Sequence, residues 1–123
     1  MKILLDTHII LWQITGDSRL RHENRAILAS PAVEKTISVV SLWEIAIKVS
    51  IGKLTLAQKL TDIVPIGTLI LPIRMPHLMQ YQNLPLQHRD PFDRMLIAQA
   101  QAENLTLMSD DPNFPMHSVA LII

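Results

Sequence analysis

Cysteine is absent from the chain. That removes disulfide scaffolds, thiolate zinc sites and cysteine nucleophiles together, and it suits a reducing compartment. Aromatic residues are few, two Trp, two Phe and one Tyr, so Leu, Ile, Val, Met and Ala must fill the interior. Net charge is missing as well. Eleven Lys and Arg balance eleven Asp and Glu, which disfavours capture of nucleic acid by bulk positive potential and leaves only a local basic rim. The longest stretch free of Asp, Glu, Lys and Arg, residues 75–88, holds two prolines and many polar residues. Nothing approaches the ~18 apolar residues of a membrane-spanning helix. Asp6 interrupts the apolar start MKILLDTH where a secretory signal needs an unbroken core, so a cytoplasmic location is expected.

What is present is enough for one core. Of 123 residues, 49% are hydrophobic and 18% charged, which excludes disorder and fits one domain over residues 1–123. There is no repeat, low-complexity tract or linker. The short apolar run at 3–5, ending at Asp6, reads as a buried strand. Helical patterns follow at 9–14, closed by Gly16, and at 19–29. The β-branched run at 36–40 reads as a second strand. Residues 41–51 read as a helix with Gly52 past its end. Further helices are expected at 56–64, 76–84 and 91–104, the last with Pro91 at its first position. Strands are expected at 69–73, 105–108 and 119–122. Short apolar strands alternating with helices imply an α/β fold, a three-layer α/β/α sandwich on a central parallel sheet.

In such a fold the carboxyl ends of the strands form the ligand-binding edge. Asp6 closes the first strand, Glu44 lies one turn into the helix after the second, and Asp110 and Asp111 follow the strand at 105–108. Asp90 and Asp93 open the long helix before that strand, and their position relative to the edge depends on its tilt. Each acid also has a purely structural explanation. Ser41 and Glu44 have capping-box spacing, with Glu44 and Lys48 at i,i+4. Asp90-Pro91-Phe92-Asp93 is a common helix start, and Asp6 and Asp111 can serve as caps. Convergence is a different matter: carboxylates held within ~4–6 Å repel unless a cation neutralises them. Oxygen donors without Cys or a His-x-x-x-His pair suit Mg2+ or Mn2+, ions that bind phosphate oxygens.

The segments LLDTHIILW, SVVSLWEIAIKVSIGKL, HRDPFDRMLIAQA and LMSDDPNF, in this order and spacing, resemble the PIN-domain family, closest to its VapC-type toxin ribonucleases. The resemblance spans residues 3 to about 114. It implies a parallel-sheet sandwich and a metal-dependent endoribonuclease using Mg2+ or Mn2+, the toxin of a toxin–antitoxin pair. It also implies a homodimer and a small antitoxin partner that blocks the acidic site. The family's acidic quartet falls on Asp6, Glu44, Asp93 and Asp111, as catalytic and metal-holding residues. Asp111 is preferred to Asp110 because the family places the acid two residues after Ser or Thr. Ser109, Thr7 and Asp90 are expected to support the acids. Lys48, Arg89, Arg94 and His8 are candidate RNA contacts, with helix pairing, packing or solvation as the plain alternative for each.

Two other classes of function fit the sequence less well. A phospho-acceptor signalling domain needs an acidic pair after the first strand and a strand-end Lys late in the chain, and neither is found. A non-catalytic PIN-fold scaffold is expected to have lost an acid, whereas all four are present.

Overall fold

The computed structural model describes residues 1–85 and 90–110, together with the backbone of 121–122. Its elements are β1 (Lys2–Leu5), α1 (Thr7–Thr15), α2 (His22–Ala29), β2 (Glu34–Ser38), α3 (Val39–Ser50), a 3-10 turn (Leu60–Asp62), β3 (Leu69–Leu71), α4 (Met75–Gln82), α5 (Pro91–Glu103), β4 (Thr106–Met108) and β5 (Leu121–Ile122). The strands form one sheet in the order β3-β2-β1-β4-β5. Every pair is parallel, with Leu4 of β1 opposite Thr36 of β2 and Leu107 of β4.

The centre of the sheet is covered on both faces, which is why β1 is a continuous apolar run. Alternation along β1 sends Ile3 and Leu5 to one side and Leu4 to the other. Ile3 and Leu5 join Ile9, Ile10 and Trp12 of α1, Leu28 of α2 and Ile45 of α3 in one core. Leu4 joins Leu96, Ile97 and Ala100 of α5, with Tyr81 of α4 packed against them, in the other. The expected α/β/α sandwich on a parallel sheet is what forms.

Several boundaries differ from the sequence reading, each for a local reason. The second strand ends at Ser38, and the helix begins at Val39, not at residue 41. The Ser38 hydroxyl accepts the Val40 N–H at 3.0 Å, and this cap outweighs the strand preference of two adjacent valines. The helix expected at 56–64 is replaced by a single 3-10 turn. There Leu54, Leu56, Ile63 and Val64 each plug the α1-side core separately, without a shared helical face. β3 stops at Leu71 because Pro72 has no N–H to continue the ladder. Arg19 belongs to the turn before α2, where it bonds Asp17.

The direction of α5 decides where Asp93 stands. A helix that leads straight into a parallel strand runs antiparallel to it, so the start of α5 lies at the carboxyl edge of the sheet. A contact fixes the height: Ser38 Oγ at the end of β2 donates to Gln99 Oε1 at 2.5 Å. Asp93 lies six residues before Gln99, about 9 Å further toward that edge at ~1.5 Å per residue.

Candidate active site

Asp6 follows β1 directly and is 3% exposed. Its backbone N–H donates to Met108 O at 3.0 Å, which extends the β1–β4 ladder by one bond. One carboxylate oxygen, Oδ1, accepts the Thr7 N–H at 2.7 Å and caps α1. The other, Oδ2, accepts the Ser109 hydroxyl at 2.9 Å from just beyond β4. Burial pushes the Asp6 carboxyl up to about 6, and the negative charge of Glu44 pushes the same way. The Ser109 hydroxyl, the imidazole of His8 and the Thr7 N–H oppose that rise. Asp6 is therefore a desolvated acid facing a second acid.

Thr7 ties the two acids together. Its hydroxyl donates to Glu44 Oε1 at 2.7 Å and lies 3.0 Å from Ser41 Oγ. With one proton to give, Thr7 orients Glu44 and leaves Ser41 as the donor in the second contact. Glu44 Oε2 is 3.6 Å from Lys48 Nζ, so Lys48 pairs with the acid one turn earlier. The capping-box explanation of Glu44 fails here, because the N-cap of α3 is Ser38 and Ser41 is an interior helical residue. Ser41 was legible only as a cap, and its contact across to α1 has no signal in the local sequence.

His8 and Asp110 complete what is described at this edge. One ligand atom each from Asp6, His8 and Asp110 lie within 4.8 Å of one another. Asp6 is buried, and the other two are exposed. The His8 ring stacks on Trp12, centroids 5.8 Å apart and planes at 16°. Arg19 covers the same indole at 5.0 Å, a cation near the edge that the sequence reading did not single out.

Asp93 is half-buried at the third position of α5. Its neighbour Phe92 meets Trp43, the residue before Glu44, edge to face at 5.1 Å. Between α3, α4 and α5 a cavity of about 190 Å³, lined by Val40, Trp43, Tyr81, Phe92 and Met95 among others, opens beside these pairs. Asp90 is exposed, and its Oδ1 accepts the N–H groups of Phe92 and Asp93 at 2.9 and 3.1 Å. It is the cap of α5. Arg94 corrects an expectation. It is 6% exposed, with its guanidinium donating to Pro85 O at 2.7 Å and lying over the Tyr81 ring at 4.8 Å. A side chain folded into the interior in this way is no rim for RNA. Asp111 and Arg89 lie outside the described residues.

A comparison with family models matches the PIN domain over residues 3–118. The chain belongs to the PIN-domain family. Solved structures with the same PIN fold include VapBC2 from Rickettsia felis bound to a DNA fragment from its promoter. It has TM-score 0.73 and 21% identity, with 99% of this chain and 98% of that one covered. VapBC-1 from nontypeable Haemophilus influenzae gives 0.70 and 18%, covering 99% and 97%. FitAcB from Neisseria gonorrhoeae gives 0.70 and 22%, covering 98% and 96%. A comparison with curated proteins finds no match.

The residues at the PIN-domain edge fit a divalent cation. A carboxylate offers about four lone-pair sites, and Asp6 uses one on each oxygen for Thr7 and Ser109. The rest remain for a metal. Carboxylate oxygens with at most one imidazole, and no thiolate, are donors for a hard or borderline ion. No helix among the described residues is long and apolar enough to cross a membrane.

Proposed function

We propose that this PIN-domain chain is an Mg2+- or Mn2+-dependent endoribonuclease, the toxin of a toxin–antitoxin pair. The observation that carries the reading is the buried Asp6 carboxylate facing Glu44 at the strand edge, with Thr7 and Ser109 fixing both acids. Two carboxylates held together while one is desolvated are strained without a cation. The site therefore makes best sense with an ion bound among Asp6, Glu44, Asp93 and Asp111 or Asp110. When bound, that ion supplies Lewis acidity toward a phosphodiester and its attacking water. The chain's own part is orientation. Ser109 and the Thr7 N–H hold Asp6, and Thr7 holds Glu44, so the donors need no rearrangement as charge develops.

A solved toxin–antitoxin complex from Klebsiella pneumoniae has the same fold, and VapBC2 and FitAB are solved on DNA fragments, which supports a small antitoxin for this chain. Met75, Leu78 and Met79 expose apolar side chains along α4, which supports a homodimer through that helix. A cytoplasmic location follows from the same role.

The test is incubation of the purified chain with labelled RNA, with Mg2+, with Mn2+ and with EDTA, beside Asp93→Asn. Cleavage that needs the ion and is lost in Asp93→Asn supports the reading. Metal-independent cleavage that is unchanged in the variant overturns it.

A further inference from the structure

We infer that His8 gives the cation site a nitrogen donor, beside Asp6 and Asp110, and so tilts the site toward Mn2+ over Mg2+. The inference rests on the metal-dependent reading above and adds to it a residue outside the acidic quartet.

The geometry comes from the start of α1. Asp6 is the N-cap and His8 the second residue of the helix, so the chain itself holds them near one another. Asp110 arrives from the end of β4, one residue past the Ser109 that bonds Asp6. Ligand atoms from all three lie within 4.8 Å of one another, yet His8 makes no hydrogen bond or ion pair with a described residue. Two ligands on one octahedral ion, at bonds of ~2.1 Å, stand ~3 Å apart when adjacent and ~4.2 Å when opposite. The three atoms are thus near enough to share one ion after a shift of side chains. Asp110 and His8 are exposed at the surface, so the shift falls to them, while Asp6 is buried and held by Thr7 and Ser109.

Stacking on Trp12 is the plain explanation for His8, and it is compatible with ligation. The near-parallel rings, 16° apart, occupy the imidazole face and leave the in-plane nitrogen lone pair available. The stack also limits the ring to few orientations, which lowers the entropy lost when it binds an ion. The chemistry of the donor then sets the preference. Mn2+ favours oxygen donors too, but as a first-row transition ion it accepts one imidazole more readily than Mg2+, which holds to oxygen donors and its own waters.

Pulsed electron paramagnetic resonance of the Mn2+ complex reads the donor directly. Wild type should show a directly bound nitrogen coupled to Mn2+, absent from both His8→Asn and His8→Gln. Calorimetry should show Mn2+ affinity falling in both variants by at least the ~10-fold that loss of a supporting group costs at other metal sites. Mg2+ affinity should change much less. Mn2+ binding without nitrogen coupling, or coupling that survives in both variants, overturns the role of His8 and leaves the metal-dependent reading standing. Failure of wild type to bind either ion overturns both.

Discussion

Replacing Asp6 by Asn separates the cost of a buried charge from the value of the hydrogen bonds around it. The carboxyl is raised from 3.8 to about 6. At ~1.4 kcal/mol per pH unit, the ionised form burdens the metal-free fold by something on the order of 3 kcal/mol. The sign follows from proton counting. Below pH 3.8 the acid is protonated folded and unfolded, and the burden is absent. Between there and about pH 6 the folded state keeps a proton that the unfolded state has released. Above it both states are ionised and the whole burden applies, so this group's favourable contribution is lost as pH rises. Asn can still accept the Thr7 N–H, while its amide forces Ser109 to turn from donor to acceptor, which offsets roughly 1 kcal/mol. In EDTA at pH 8, Asp6→Asn should therefore melt higher than wild type by roughly 5–10 °C for a chain of this size. The gap should close toward pH 4. The charged neighbours facing Asp6 are Glu44, His8 and Asp110, and repeating the melts in a His8→Asn background removes the imidazole from the comparison. Mn2+ should raise the melting temperature of wild type and do so less in Asp6→Asn. A variant that melts lower than wild type at pH 8, or by the same difference at pH 4 and 8, would refute the reasoning. Asp6 would then be a net stabilising cap with no need of a cation.

Glu44→Gln keeps an oxygen for the Thr7 hydroxyl and loses only a partly exposed pair with Lys48, so stability should change by less than ~1 kcal/mol. Mn2+ affinity and RNA cleavage should both fall sharply, and an NMR titration should find the Asp6 carboxyl lower than in wild type. Arg94→Met removes the guanidinium that donates to the carbonyls of Pro85, Tyr81 and Leu84; denaturant unfolding should show a loss of about 2–4 kcal/mol. Retained stability would return Arg94 to the surface. Met79→Glu places a charge in the exposed α4 patch, and light scattering should show wild-type dimers and monomeric variant at micromolar concentration.

The layers of the fold were legible because β1 and β4 are short, largely apolar runs and β2 ends in a β-branched one, all separated by helical periods, a pattern that suits a sheet covered on both faces. The edges of elements were not. Val39 and Val40 carry strand propensity, and only the Ser38 side chain bonding the backbone two residues on turns them into a helix start. Residues 54–64 have apolar residues at helical intervals, yet Leu54, Leu56, Ile63 and Val64 are taken by the core individually and Leu60 is exposed. Arg94 looked like a rim cation because helices ordinarily show their charges to water. From Arg94 to Ala100, however, α5 is buried at every position, so polar residues there must find carbonyls or side chains inside.

The acids themselves show why local pattern alone could not separate cap from site. Asp6 and Asp90 both stand at a helix N-cap and both accept N–H groups of the first turn. Asp90 directs one oxygen at two neighbours in its own helix and is exposed. Asp6 gives one oxygen to its helix and the other to Ser109, 103 residues away, while burial and Glu44 raise its carboxyl. Capping and ligation do not compete for the same electrons, because a carboxylate has lone pairs enough for both. An acid held by only its own helix is explained by that helix. An acid buried at a strand end, held from a second strand and set against another carboxylate is held at a free-energy cost that capping does not account for, and a bound cation does.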